Sequence, residues 1–196
     1  MLILIKNTLK KTFFIFISLN CLALDTNNTE LIIDIWQQRL YLKENNKITE
    51  SFPISSSKYG EGSIVNSLKT PLGMHEIKEK IGDSVTKNTI FISRINTQRL
   101  AEIISNDIDS PNDHVTSRIL WLSGLEDGEN RGPGIDSYSR YIYIHGTQEE
   151  GLIGQKASDG CIRMFNDDVI YLYKKVSKGT KVYIKAWLRN YLQLTT

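Results

Sequence analysis

The sequence has little excess charge, little proline and no long uninterrupted hydrophobic run. Of its 196 residues, 24 are lysine or arginine and 22 are aspartate or glutamate, without a large basic cluster. This balance argues against nucleic-acid binding. With 4 prolines, 13 glycines and 40% hydrophobic residues, the composition excludes a collagen-like or disordered chain and is typical of a globular protein. The length predicts a single domain.

The first thirty residues have the layout of a secretory signal peptide. Three lysines, at positions 6, 10 and 11, precede an apolar stretch from Phe13 to Leu24. This stretch is well short of the ~20 residues that a membrane-spanning helix needs, which favours an export signal over a retained anchor. We therefore expect a signal peptide over residues 1–23, a folded domain over 29–186 and a C-terminal tail over 187–196.

Cysteine is scarce, and its placement is informative. Of the two cysteines, Cys21 lies in the predicted signal, so the exported chain keeps Cys161 alone. Such a chain has no internal disulfide. A lone thiol in an oxidising compartment is either buried and inert or retained for its reactivity, and composition does not choose between these interpretations.

Residue patterns predict a mainly β domain with minor α, in which one or two helices pack on the sheet. One helix is predicted to begin with Asn166 as its N-cap and to end at Gly179. A second, shorter helix is predicted over residues 97–106, and a long loop over 123–139 is expected beside the functional groove. The predicted strands are Leu31–Trp36, Arg39–Lys43, Ile48–Ser55, Gly73–Lys80, Thr89–Ser93, Arg118–Leu122, Tyr141–His145 and Thr180–Ala186.

Two segments bring reactive side chains to one surface. Residues 141–145 alternate, so that the isoleucines face the core and His145 faces outward. If residues 158–163 are extended, Cys161 and Arg163 point to one side and Ile162 to the other. A thiolate is the nucleophile of cysteine chemistry, and a neighbouring imidazole takes its proton or holds it as an ion pair. The pattern predicts Cys161 as the nucleophile and His145 as the base.

Neighbouring residues suggest supporting roles. The Gly146 carbonyl could fix the tautomer of His145. Gly160 permits a tight backbone, so that N–H groups around residues 160–161 could point at a developing oxyanion. Arg163 could pair with a substrate carboxylate, and Ser158 is expected to be a hydrogen-bonding support.

Each of these residues also has a plainer interpretation. A lone cysteine is most often a small buried hydrophobic residue, a strand histidine is commonly just hydrogen-bonded, and Arg163 could be a surface ion-pair partner. The tyrosines at 138, 141 and 143 are either a sugar-stacking platform or simple packing. No metal site is predicted, because the histidines and Cys161 lack the close spacing of zinc ligands.

Taken together, the two segments resemble the active-site signature of the L,D-transpeptidases, a family of bacterial cell-wall enzymes also called YkuD-like. The residues that carry the resemblance are His145-Gly146-Thr147 and Ser158-Asp159-Gly160-Cys161-Ile162-Arg163. Further similar segments are the hairpin at 38–42, Thr70-Pro71-Leu72-Gly73, and the cleft strands at 118–122 and 139–144.

The resemblance implies a β-sandwich-like domain in which Cys161 attacks a peptidoglycan stem tetrapeptide, releases the terminal D-alanine and forms an acyl-enzyme. If an amine of another stem then attacks the acyl-enzyme, a 3–3 cross-link forms. If the lysine of an outer-membrane lipoprotein attacks, the lipoprotein is tethered. If water attacks, the enzyme is an L,D-carboxypeptidase. Catalytic roles are implied for Cys161, His145, Gly146 and Gly160. The residues expected to contact substrate are Arg163, Ser158, Asp159, Tyr143, Trp121 and Arg140.

The resemblance implies no cofactor, and we expect a monomer that binds peptidoglycan peptides. Asp159 stands where many members of the family have histidine. Its carboxylate would favour a protonated His145, or repel a thiolate at Cys161, if it lay close to either. An inert peptidoglycan-binding protein that keeps only the fold is the alternative from another functional class.

Overall fold

The computed structural model describes residues 29–186, so the predicted signal peptide (1–23) and C-terminal tail (187–196) lie outside the described residues. Within this range the chain is mainly β with one α-helix, and the predicted fold class is confirmed. No helix in this part of the chain has the length and hydrophobicity that crossing a membrane requires.

The elements follow one another as a run of strands with one late helix. The strands are β1 (Thr29–Asp34), β2 (Arg39–Glu44), β3 (Lys47–Pro53), β4 (Gly73–Ile81), β5 (Thr89–Ile92), β6 (Ile95–Leu100), β7 (Val115–Gly124), β8 (Tyr143–Thr147), β9 (Ile162–Met164) and β10 (Lys181–Lys185). The helix is α1 (Asn166–Lys175), and a short 3-10 helix spans Glu150–Leu152.

The strands form one open sheet in the order β3-β2-β1-β10-β4-β7-β5-β6. Strands β1 and β10, which are distant in sequence, are parallel neighbours within it, with Leu31 opposite Val182. Strand β7 pairs with β4, β5 and β8, and β8 pairs in parallel with β9. The sheet therefore branches at β7, and the branch carries both segments with the predicted reactive side chains.

Two apolar clusters bury the two faces of this branch. The larger cluster contains Ile144 and Ile162 together with the apolar face of α1. The smaller cluster contains Trp121 and Tyr143, and Cys161 packs against it. Because successive side chains of a strand alternate between faces, burial of the isoleucines in the larger cluster turns Tyr143 and Cys161 toward the smaller one.

Helix α1 begins differently from its prediction. Phe165 occupies the N-cap position, and Asn166 is the first helical residue, with a buried side chain. The Asn166 amide donates to the Thr147 carbonyl and accepts from the hydroxyls of Thr116 and Ser117. Asn166 therefore ties α1 to β7 and β8 instead of capping the helix.

The helix also ends earlier than predicted, at Lys175, with Gly179 in a separate turn. Lys80 of β4 donates from Nζ to the carbonyl oxygens of Tyr173 and Val176, each at 2.6 Å. A cation at the last carbonyls satisfies acceptors that the helix cannot pair and offsets its negative end. Lys80, from a strand distant in sequence, therefore binds the carbonyls where α1 ends.

The predicted helix over residues 97–106 is wrong. Ile95–Leu100 is strand β6, which forms a hairpin with β5, and the residues after Leu100 are irregular. Ile104 donates its N–H to the Gln148 carbonyl and accepts the Gly151 N–H at its own carbonyl. These backbone groups bond to the segment after β8, so they are not available for a helix.

Candidate active site

The loop before β9, residues 158–161, is held by several hydrogen bonds. The buried Ser158 hydroxyl donates to the Cys161 carbonyl oxygen at 2.6 Å and accepts the Gly160 N–H at 3.3 Å. The Thr70 hydroxyl donates to the Gly160 carbonyl at 3.0 Å. Gly160 has a φ of +120°, which favours glycine. Ser158 thus supports the loop, as predicted from sequence, and the loop fixes where Cys161 stands.

The Cys161 thiol contacts two backbone groups at and just before the start of β8. Its Sγ accepts the Tyr143 N–H at 3.4 Å and donates to the Tyr141 carbonyl oxygen at 3.4 Å. Desolvation raises the pKa of Cys161 to about 12, and the charges of Arg163 and Arg140 oppose this rise. At neutral pH the group is therefore a thiol, which agrees with its donation to a carbonyl.

His145 is buried, with 1% of its surface exposed, so the outward placement predicted from alternation is wrong. The smaller apolar cluster and the residues around it cover the face of β8 that His145 shares with Tyr143. The Nδ1 atom lies 2.7 Å from the Gly146 carbonyl oxygen. Because a carbonyl only accepts, Nδ1 carries the proton and Nε2 keeps a lone pair. Desolvation lowers the pKa of His145, partly opposed by the Asp113 carboxylate, so the imidazole is mainly neutral at pH 7.

The register between β8 and β9 brings the thiol and the imidazole to one face. Ile144 lies opposite Ile162, and His145 lies opposite Arg163. Cys161 directly precedes Ile162, so it lies beside Tyr143 and on the face that His145 and Arg163 share. The predicted base therefore lies in β8, and the predicted nucleophile lies directly before the neighbouring strand β9.

Gly146 occupies a position where a side chain would not fit. A Cβ atom there would lie 2.5 Å from Asn166 Oδ1 and 2.9 Å from the Thr116 carbonyl oxygen. The missing side chain lets Asn166, at the start of α1, pack directly on β8. The same residue offers its carbonyl to His145.

Arg163 lies in a buried ion-pair network, with 1% of its surface exposed. Its Nη1 is 2.7 Å from Glu149 Oε2, and its Nη2 is 2.6 Å from Asp113 Oδ2. Glu149 is itself buried and accepts the N–H and the hydroxyl of Ser110. A substrate carboxylate would have to displace one of these acids, so the environment of Arg163 does not favour the substrate contact expected from sequence.

Neither acid of this network is predicted from the sequence. Glu149 follows His145 by only four residues, and this closeness is a signal that could have identified it. Asp113 lies in an irregular segment before β7, where no pattern marks it. Only the fold brings Asp113 to Arg163.

Asp159 is exposed and points to a lysine instead of the reacting pair. Its Oδ1 lies 3.5 Å from Lys58 Nζ. The charged groups that shift the pKa of Cys161 are Asp113, Arg163 and Arg140, and Asp159 is not among them. Asp159 therefore neither favours a protonated His145 nor repels a thiolate at Cys161.

An aromatic wall, formed by Trp121, Tyr138, Tyr141 and Tyr143, lines the site beside Cys161. Trp121 stacks on Tyr138 with 4.1 Å between ring centroids and meets the Tyr143 ring edge-on at 5.5 Å. Trp121 and Tyr143 are buried, whereas Tyr141 is 51% exposed. The inner part of the wall is packing, and its outer part is open to a ligand.

Arg94, which no sequence pattern marks, lies against this wall. Its guanidinium carbon is 4.9 Å from the centroid of the Trp121 ring and 4.8 Å from that of Tyr141. In the sequence it directly follows a predicted strand, where an arginine is an ordinary turn residue. It reaches the wall because β5, whose hairpin with β6 carries it, pairs with β7.

Arg140 connects the long loop to the opposite rim of the site. It donates to the carbonyls of Gly62 and Lys69, at 3.2 and 2.7 Å, and to the Ser67 hydroxyl. The next residue, Tyr141, supplies the carbonyl that accepts from the thiol. The loop between β7 and β8 extends beyond the predicted 123–139 to residue 142, and it reaches the site as expected, whereas the strand predicted from Tyr141 begins only at Tyr143.

The histidines are dispersed over the described part of the chain. His75 is buried, with Nδ1 3.0 Å from the Gly73 carbonyl and Nε2 2.9 Å from the Ser137 hydroxyl. Desolvation lowers the pKa of His75 to about 4. Among residues 29–186, no group of three or more His, Cys, Asp or Glu side chains is arranged to hold a metal ion.

Sequence comparison finds relatives over most of the described region. The model of the L,D-transpeptidase catalytic domain family, YkuD, matches residues 28–184. The Escherichia coli K12 protein named Probable L,D-transpeptidase YcfS is 27% identical over 172 residues, which are 86% of this chain and 47% of that protein. Probable L,D-transpeptidase ErfK/SrfK of the same organism is 49% identical over 45 residues, covering 23% and 14% of the two chains. The chain thus spans about half the length of YcfS and less of ErfK/SrfK.

Structural comparison agrees on the fold. The crystal structure of L,D-transpeptidase 3 from Mycobacterium tuberculosis, in complex with a faropenem-derived adduct, aligns with a TM-score of 0.51. The alignment covers 81% of this chain and 60% of that one, at 16% identity. At this identity the likeness concerns the fold alone.

Proposed function

The chain belongs to the L,D-transpeptidase catalytic domain family, YkuD, and we propose that it transfers the acyl group of a peptidoglycan stem peptide to an amine through a Cys161 acyl-enzyme. The observation that carries this proposal is the placement of the Cys161 thiol and the His145 imidazole on one face of β8 and β9. The bond from His145 Nδ1 to the Gly146 carbonyl, at 2.7 Å, leaves Nε2 as the basic atom.

The first step is attack of Cys161 Sγ on the carbonyl carbon of the donor peptide bond. Thiol and imidazole are both mainly uncharged at neutral pH, so the proton passes from Sγ to Nε2 of His145 as the S–C bond forms. When the C–N bond breaks, His145 returns the proton to the leaving amine. The products are an acyl-enzyme and, for a tetrapeptide donor, free D-alanine.

The second step transfers the acyl group to the acceptor. An acceptor amine attacks the thioester carbonyl while His145 takes its proton, and the C–S bond then breaks as the proton returns to Sγ. The amine determines the product. A second stem gives a cross-link and a lipoprotein lysine gives a tethered lipoprotein, whereas water gives only hydrolysis.

The negative oxygen of each tetrahedral species needs a donor. The Gly160 N–H already donates to Ser158 Oγ, whereas the Cys161 N–H meets no acceptor within residues 29–186. We therefore assign the oxyanion to the Cys161 N–H. Gly160 contributes its positive φ, which sets the direction of that N–H.

The imidazolium formed in each step also has a partner. The Asp113 carboxylate favours the charged form of His145, while the Arg163 guanidinium opposes it. Asp113 and Glu149 both pair with Arg163 and offset its charge. We therefore assign Arg163 and Glu149 as positioning residues that support His145.

The test is mass spectrometry of products after the protein is incubated with purified disaccharide-tetrapeptide muropeptides. Dimers linked 3–3, absent when Cys161→Ala replaces the native chain, are the expected result. Tripeptide monomers without dimers would replace the proposal with an L,D-carboxypeptidase. If no product forms and iodoacetamide labels Cys161 only after unfolding, the inert binding protein is the better interpretation.

Export and domain limits belong to the same proposal. We propose that residues 1–23 direct the chain to the cell envelope and that residues 29–186 are the catalytic unit, since the family match covers residues 28–184. The intact mass of protein recovered from the envelope fraction tests the first part. A mass that begins after Ala23 is expected, and a mass that includes residues 1–23 would indicate a retained anchor.

A further inference from the structure

Three arginines lie in or beside the site, and carboxylates or carbonyls of the protein bind two of them. Arg163 has a carboxylate at each end of its guanidinium. Arg140 donates to two backbone carbonyls and a hydroxyl of residues 62–69. The third, Arg94, makes one hydrogen bond within residues 29–186, from Nη1 to the Tyr143 hydroxyl at 3.3 Å, and pairs with no carboxylate there.

The aromatic wall connects Arg94 to the two tyrosines whose backbone contacts the thiol. Its guanidinium lies over the rings of Trp121 and Tyr141. Tyr143, whose hydroxyl it contacts, donates its N–H to Cys161 Sγ, and Tyr141 offers its carbonyl to the same sulfur. Each tyrosine therefore contacts Arg94 with its side chain and the Cys161 sulfur with its backbone.

The hairpin itself presents Arg94 to the cleft. Ser93 and Arg94 form the turn between β5 and β6, with φ values of +48° and +70°. A turn with two left-handed residues is tight and matches the twist of its strands. Because ring stacking already orders the guanidinium, binding an anion costs it little further side-chain freedom. Its unpaired N–H groups form a planar fork that suits a carboxylate.

We propose that Arg94 binds a carboxylate of the donor stem peptide and thereby positions the peptide bond at Cys161. The inference rests on the proposed function, which supplies the donor. A stem tetrapeptide whose third residue is diaminopimelate carries a carboxylate on each side of the attacked bond, one on the terminal D-alanine and one on the third side chain. Both offer the same planar anion to Arg94.

The experiment measures peptide binding by calorimetry, with the full chain carrying Cys161→Ala so that no reaction follows. Three synthetic tetrapeptides are compared: the free acid, the C-terminal amide and the amide of the third side chain. Adding Arg94→Gln is expected to weaken binding of the free acid about tenfold. It should leave unchanged the binding of the one amide that lacks the recognised carboxylate, which identifies the source. Arg94→Lys should recover part of the loss.

Arg99→Gln is the matched control, because Arg99 is an exposed arginine on the same hairpin. It should bind all three peptides as the Cys161→Ala chain does. Equal affinity with and without Arg94 would overturn the inference. An equal loss on all three peptides would overturn it as well, because it would show that Arg94 only supports the packing of Trp121.

A turnover assay with Cys161 intact separates this inference from the proposed function. If the native chain releases no D-alanine while the binding pattern still depends on Arg94, the proposed reaction fails and the carboxylate contact stands. If the native chain releases D-alanine and Arg94→Gln leaves KM unchanged for the free acid, the contact fails and the reaction stands. Iodoacetamide labelling of Cys161 in the Arg94→Gln chain should match that of the native chain, which confirms an intact site.

Discussion

Cys161 and His145 are mainly uncharged at neutral pH because packing desolvates both, although His145 is buried and Cys161 only partly so. Desolvation raises the pKa of the thiol to about 12 and lowers that of the imidazole. This differs from a preformed thiolate and imidazolium pair, which was one of the two arrangements that the sequence allowed. A site of this kind depends on a bound substrate to draw the thiol proton toward His145.

Native alkylation should report this thiol directly. Since thiolate is the reacting form and the pKa is about 12, the labelling rate of Cys161 by iodoacetamide should rise about tenfold per pH unit between pH 7 and 10. Intact-mass measurements over time give the rate, and Cys161→Ala reports any labelling of Cys21. A rate that stays constant above pH 6 would instead show a preformed ion pair.

Gly146→Ala should disrupt the site through contact alone. The added Cβ would meet Asn166 Oδ1 at 2.5 Å and the Thr116 carbonyl at 2.9 Å, so β8 and α1 must separate. We expect the free energy of unfolding, measured by urea denaturation, to fall by about 1–3 kcal/mol. We also expect most of the turnover, measured as D-alanine release, to be lost. Gly154→Ala, with a φ of +100° and open space around it, shows what backbone strain alone costs.

Glu149→Gln tests the buried ion-pair network. The change leaves Arg163 with Asp113 as its remaining carboxylate, and breaking a buried pair typically costs about 3–5 kcal/mol. Turnover should fall as well, because Arg163 then keeps one carboxylate in place of two, and its less compensated charge disfavours the imidazolium of His145. Urea denaturation and kcat measure the two effects. Asp109→Asn, at an exposed ion pair with Lys58, should change neither; an equally mild effect of Glu149→Gln would contradict the assigned role.

At the scale of elements, α1 depends on groups from distant strands at both ends. Asn166 is bonded to β7 and β8, and Lys80 of β4 is bonded to the last carbonyls. The acids of the first turn and the lysines of the last, Asp167 and Asp168 with Lys174 and Lys175, do lie where the sequence predicted them. Local signals thus located the helix, whereas contacts with the sheet determined where it begins and ends.

Lys80→Met should therefore weaken the attachment of α1. The variant keeps the aliphatic part of the side chain but leaves the carbonyls of Tyr173 and Val176 without their cation. We expect the free energy of unfolding to fall by about 1–2 kcal/mol, measured by urea denaturation. Lys78→Met, at an exposed position of the same strand, is the control. Equal stability of the two variants would show that the contact with α1 contributes nothing.

At the scale of the whole molecule, two buried neutral histidines make folding sensitive to acid. The unfolded chain protonates histidine near pH 6.5, whereas desolvation lowers the pKa of His75 to about 4 and also lowers that of His145. The unfolded state therefore binds more protons, and stability present above pH 6.5 is lost as the pH falls toward 4. His75 alone should account for about 3 kcal/mol.

Urea denaturation between pH 7 and pH 4.5 measures this loss. His75→Gln should flatten the dependence on pH, whatever it does to stability at pH 7, because it removes the group that titrates. The same slope in both chains would show that other groups cause the acid sensitivity.

The sequence by itself determined the local features of this protein. Alternation, turn residues and charge at helix ends predicted a mainly β domain with one well-marked helix, and the motif around His145 and Cys161 identified the family. These signals depend on residues close together in the chain, so they can be recognised without a fold. For the same reason, strand β9, with three residues, was too short to show a pattern.

Tertiary structure alone decided what surrounds the reactive pair. Asp113 and Glu149 enclose Arg163, Arg94 folds over Trp121, and residues 97–106 form no helix because their backbone bonds to the segment after β8. Each contact joins segments brought together by the branching of the sheet at β7. Burial also sets the charge of Cys161 and His145, because desolvation depends on what the whole chain packs around a group.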